Sequence, residues 1–114
     1  VEFVDFEETD SIETLKEKYY VALNKLNNCE SVLALTDLAG GSPFKTLVEI
    51  KTEIEKPMEV IGGTNLPMLL ELSMTKDIIG DLYSLCDSAL EIGKSGVVKF
   101  EFIVHEDIKC EDGI

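Results

Sequence analysis

Ser31-Val32-Leu33-Ala34-Leu35-Thr36-Asp37-Leu38-Ala39-Gly40-Gly41-Ser42-Pro43-Phe44 is the stretch that decides how this chain folds. An apolar run ends in a carboxylate, two glycines follow, and Ser-Pro opens a second apolar pattern. The run suits a strand covered on both faces, as in a parallel sheet, and such a strand delivers Asp37 to the sheet's carboxyl edge. Gly40 and Gly41 permit a tight turn with exposed backbone. Ser42 suits the N-cap of the next helix, and Pro43 suits its first turn, having no N–H to leave unpaired. A carboxylate beside free helix N–H groups is a place to handle an anion.

The same grammar returns downstream. Phe44, Leu47, Val48 and Ile54 form the apolar face of a helix that Pro57 closes. Met58-Glu59-Val60-Ile61 is a short strand, Gly62-Gly63-Thr64-Asn65 a loop, and Leu66 to Leu72 a helix. In a parallel sheet both loops fall at the carboxyl edge, where open α/β folds bind ligands. Upstream, VEFVDF (Val1 to Phe6) reads as a strand. Asp10 with Glu13 has capping-box spacing. Ile12, Leu15, Tyr19, Leu23 and Leu26 recur at helical steps to about Asn27. Leu82, Leu85, Cys86, Ala89 and Leu90 mark a further helix, with Gly93 near its end. Val98, Phe100 and Phe102 alternate as a strand would, although the helix could run on, and Lys109 to Ile114 reads as a polar, mobile end.

The totals narrow the function. With 114 residues the chain is one domain, and 45% hydrophobic residues indicate a folded globule. No apolar run approaches the ~20 residues that span a bilayer, and the acidic start is no signal peptide. The formal net charge of −13 disfavours nucleic acid; ordinary acidic solubility accounts for it, and a basic protein partner would be attracted, with association weakened by salt. Cys29, Cys86 and Cys110 are odd in number without a C-x-x-C pair, which fits a reduced cytosolic setting better than a disulfide scaffold. His105, the one histidine, lies in IVHEDIKC with neither a glycine-rich turn nor a helix N-terminus beside it. Its acidic surroundings match no zinc spacing, so a solvated tail explains them better than a metal centre.

The pairing of TDLAGGSPF (Thr36 to Phe44) with GGTNLPMLLEL (Gly62 to Leu72) resembles the IIA component of the mannose-type sugar phosphotransferase system. The opening VDF, the helix ending in NKLNN and the late EIGKSGV suit that family in order and spacing, from about Phe3 to Val98. The resemblance implies an α/β fold with an open, mostly parallel sheet, flanked by helices on both faces in three layers. It implies residues 1–104 as the phosphocarrier domain, residues 105–114 as a polar tail, and a cytoplasmic homodimer. It further implies phosphate accepted on a histidine from HPr and passed to a IIB domain, without cofactor or metal.

By that resemblance Asp37 orients the acceptor imidazole, and Ser42 with the amides around Gly40 and Gly41 holds phosphoryl oxygens. Thr64 and Asn65 line the same edge, with helix capping an equal reading for both. Leu38 and Ala39, if exposed, form an apolar docking rim for protein partners. The family's histidine follows a first strand in a turn that this sequence does not contain. The sequence is therefore expected to be a piece of a longer product, with a gap in the sheet beside Ser31. Two other readings keep the fold: a flavodoxin-like module using both loops for a nucleotide or flavin, and a non-catalytic regulatory domain.

Overall fold

The structure is a computed structural model, and it describes residues 1–102. Six elements follow in order: α1 (Ile12–Lys25), β1 (Val32–Leu35), α2 (Ser42–Glu53), β2 (Met58–Ile61), α3 (Leu66–Thr75) and α4 (Leu82–Ser95). β1 and β2 pair in parallel, Val32 opposite Met58 through Leu35 opposite Ile61. Among the described residues they make the whole sheet. Parallel neighbours need a crossover, and α2 supplies it.

Because side chains alternate across a strand, the apolar run of β1 feeds two cores. Val32 and Ala34 join Met58 and Val60 on one face, packed against Leu15 and Tyr19 of α1 and Leu47 and Ile50 of α2. Leu33 and Leu35 join Ile61 on the other face, packed against Met68 and Leu72 of α3 and Ala89 of α4. The result is three layers, α1–α2 over the sheet over α3–α4, as expected of an α/β chain with helices on both faces. None of these helices is long and apolar enough to cross a membrane.

Several local expectations change. Val1 to Phe6 is not a strand. No ladder partner lies beside it among the described residues, and β-forming residues without a neighbouring strand do not make one. Val4 instead packs on the first core while Val1 and Phe3 stay exposed. The cap of α1 is Ser11, one residue later than the Asp10–Glu13 spacing suggests, its Oγ accepting from the Thr14 N–H at 3.1 Å. Asp10 is left to accept from the Glu7 N–H at 2.8 Å and from Lys18 Nζ at 2.7 Å, tying the N-terminal segment to α1.

Both late helices run longer than their apolar pattern. α4 ends at Ser95, two residues beyond Gly93, which is buried within its last turn. The segment 97–102 has no strand and leaves Val98, Phe100 and Phe102 exposed. His105, Cys110 and the tail 105–114 lie outside the described residues.

Two measurements test this arrangement. Ile50 is fully buried in the first core, so Ile50→Ala should cost about 2–5 kcal/mol in equilibrium urea unfolding, because the neighbouring side chains only partly fill the space. A loss under half a kcal/mol would contradict that packing. The Lys18 hydrogen bond, helped by the Glu7 N–H, holds the Asp10 carboxyl below its ordinary value of 3.8. A depressed native value means that the stabilisation is complete above the ordinary value and is lost as pH falls through the native one. Wild type and Asp10→Asn should therefore differ in unfolding midpoint at neutral pH and converge as the pH drops below 3.8; parallel curves down to that range would exclude the pair as the cause.

Candidate functional site

Parallel pairing brings the β1–α2 loop (36–41) and the β2–α3 loop (62–65) to one edge of the sheet, and their backbones lock together. The Thr36 N–H donates to the Ile61 carbonyl at 2.9 Å, and the Thr64 N–H donates to the Thr36 carbonyl at 3.0 Å, continuing the ladder past the strands. Thr36 is buried, and its hydroxyl lies 3.3 Å from the Leu38 carbonyl and 3.4 Å from that of Ile61. A Cβ built on Gly62 would stand 2.6 Å from Ala39 Cα and 2.9 Å from its backbone nitrogen, so only a glycine admits this approach. Gly40 takes φ of +84°, a left-handed conformation that reverses the chain into α2.

Asp37 follows the buried Thr36 and is itself exposed at this edge. The next feature is the N-terminus of α2. Gly41 holds the extended backbone of the cap, with no side-chain hydrogen bond, and no acidic residue occupies the first turn. Ser42 does not cap this helix, because its backbone is already helical and it is the first residue inside. The other three helices each receive a side-chain cap, from Ser11, Asn65 and Asp81. The first amides of α2, from Ser42 and Phe44 with Pro43 between them, therefore carry the positive end of a helix dipole without a side-chain acceptor. Such an N-terminus can receive an anion, and Asp37 lies in the loop that leads into it.

The second loop divides its labour. Thr64 Oγ1 is buried and has no hydrogen-bond partner among the described residues, an expensive state for a hydroxyl. Asn65 spends both ends of its amide inside the fold: Oδ1 accepts from the Met68 N–H at 3.2 Å, and Nδ2 donates to the Gly93 carbonyl at 2.9 Å. Leu38 is 66% exposed and Ala39 is exposed too, so the rim at the tip of the first loop is open to solvent.

One contributor escaped the sequence reading. Tyr19 looks like a core position of α1, yet its hydroxyl donates to the Pro43 carbonyl at 3.2 Å and braces the first turn of α2. Burial pushes its phenol up from the ordinary value. The signal was present in principle, since a tyrosine in a buried helical position needs a partner for its oxygen. Among the described residues no group of three or more histidine, cysteine or acidic side chains could hold a metal ion.

A family model described as the PTS system fructose IIA component matches residues 1–83. The chain belongs to this family. It is 41% identical over 97 residues to the mannose-specific EIIAB component of the phosphotransferase system of Escherichia coli K12, covering 85% of this chain and 30% of that protein. It is 33% identical over 95 residues to the fructose-specific EIIA component of Bacillus subtilis, covering 78% of this chain and 64% of that one. A crystal structure of the EIIA component from Streptococcus agalactiae superimposes with a TM-score of 0.70 at 26% identity, over 81% of this chain and 69% of that chain. This chain thus spans about a third of the mannose-specific relative and less than two thirds of the fructose-specific one.

The lock between the loops predicts a specific failure. Gly62→Ala must push its Cβ against backbone, which cannot swing away as a flexible side chain can. We expect a loss of about 1–3 kcal/mol in denaturant unfolding, together with moved amide resonances at Ala39, Gly40 and Gly41. A variant as stable as wild type, with those resonances in place, would contradict the close approach.

Proposed function

We propose that this chain is the phosphocarrier part of a sugar phosphotransferase system of the mannose family, accepting phosphate on a histidine from HPr and passing it to a IIB domain. The observation that carries the reading is the N-terminus of α2 without a side-chain cap, in the loop that carries Asp37, in a chain of the IIA family. The acceptor is an imidazole brought to Asp37; the described residues contain no histidine. The Asp37 carboxylate accepts the N–H of one ring nitrogen, which fixes the tautomer and leaves the other nitrogen as nucleophile.

That nitrogen attacks the phosphorus of the donor's phosphohistidine. A new N–P bond forms as the donor's N–P bond breaks, and the electron pair returns to the donor ring. Throughout, the non-bridging oxygens carry negative charge, and fixed donors aimed at them lower the barrier. The amides of Ser42 and Phe44 supply those donors, together with the Ser42 hydroxyl and the Gly40–Gly41 backbone. The buried, unpartnered Thr64 hydroxyl supports a polar ligand at the same edge. No cofactor enters the transfer.

The exposed Leu38 and Ala39 give a protein partner an apolar foothold beside the phosphoryl group, and the net charge of −13 favours a basic one. A cytoplasmic homodimer, with residues 1–104 as the working domain and residues 105–114 as tail, belongs to the same reading.

The test uses the full-length protein, mixed with phosphoenolpyruvate, enzyme I and HPr, and its intact mass. A gain of one phosphate is expected, and no gain would sink the reading. Asp37→Ala should slow transfer by about 10²-fold, the lower end for loss of a group that sets up acid–base chemistry, while circular dichroism stays unchanged. Transfer at the wild-type rate would remove Asp37 from the site.

A further inference from the structure

We infer that Asn65 is a positioning residue rather than a phosphoryl ligand: its amide ties the last turn of α4 to the β2–α3 loop and so sets the height of the β1–α2 loop that carries Asp37. The functional half of this inference rests on the phosphocarrier reading; the structural half does not.

The amide has one workable orientation. Oδ1 faces the Met68 N–H at 3.2 Å and Nδ2 faces the Gly93 carbonyl at 2.9 Å. Reversing it would set a donor against a donor and an acceptor against an acceptor. Serine or aspartate would serve equally as a bare N-cap. Aspartate, however, offers the Gly93 carbonyl no hydrogen, and serine is too short to span to it while capping. Asparagine meets both demands at once.

The seat beneath it is built to match. A Cβ at Gly93 would lie 2.5 Å from Met68 Cε, and a Cβ at Gly96 would lie 2.6 Å from Pro67 Cγ. The start of α3 therefore packs closely on the end of α4, Pro67 against Gly96 and the tip of Met68 against Gly93. Rotating Asn65 toward a ligand would abandon both of its bonds.

The same residue stands next to the coupling between the loops. Thr64, its neighbour, donates its N–H to the Thr36 carbonyl, one residue from Asp37. Gly62, three residues before Asn65, lies against Ala39, two residues beyond Asp37. A shift at Asn65 has two rigid routes to Asp37, both through backbone. Neither passes through a flexible side chain that could absorb it.

The experiment takes full-length protein with Asn65→Ser and Asn65→Asp, both of which keep an N-cap acceptor. Amide resonances of Ala39, Gly40 and Gly41 should move along with those of residues 92–96. The kcat for phosphorylation by phospho-HPr should fall about tenfold or more with KM unchanged, because a displacement of the order of an ångström is costly in group transfer. Resonances of residues 39–41 that stay in place overturn the inference, whether or not transfer falls; a fall without such shifts would make Asn65 a direct ligand. If wild-type protein accepts no phosphate, the phosphocarrier reading fails by itself, and the resonances still decide whether Asn65 sets the loop.

Discussion

The parallel pairing of Val32–Leu35 with Met58–Ile61 is the constraint from which the other features follow. Two short strands running the same way must be joined across one face, which places α2 there. Their alternating side chains then require a cover on each face, and α1–α2 and α3–α4 supply it. Parallel direction also sends both strand ends to one edge, so the two glycine loops meet. Antiparallel pairing of the same residues would put those loops at opposite ends of the sheet, and no composite site could form.

That meeting is tight because three kinds of group cooperate. Backbone hydrogen bonds from Thr36 and Thr64 extend the ladder beyond the strands. Gly62 removes the side chain that would hold the loops apart. Braces then reach the edge from both outer layers, Tyr19 from α1 to the first turn of α2 and Asn65 from the start of α3 to α4. The proposed phosphoryl site would benefit from this stiffness, since donors that are already in place need not reorganise during a reaction. The exposed charges elsewhere contribute less. Pairs such as Lys16–Glu53, at 2.8 Å between α1 and α2, sit in solvent and are individually worth little.

Much of the candidate site's framework was legible in the sequence. An apolar strand run leading to Asp37, a Gly-Gly turn and Ser-Pro at a helix start are local signals with local causes, and each element occurs where its pattern lies. What misled the reading was also local. Asp10 with Glu13 satisfies the spacing of a capping box, but the helix begins one residue later at Ser11. Ser42 has the chemistry of a cap, but Gly41 holds the cap's backbone conformation. Val1 to Phe6 has the composition of a strand, yet composition cannot provide a ladder partner.

The sequence by itself determined the types of the four helices and of β1 and β2, the two apolar faces of β1, the position of Asp37 just beyond a strand and the family to which the chain belongs. These depend on periodicity and on residue chemistry read over a few neighbours. Only the tertiary structure decided that Gly62 abuts Ala39, that Tyr19 braces Pro43, that Gly93 lies inside α4 under Met68, and that Asn65 spends its amide on that helix. Each of those facts joins residues that are about 20 or more positions apart, and such contacts are set by how the layers stack rather than by any local pattern.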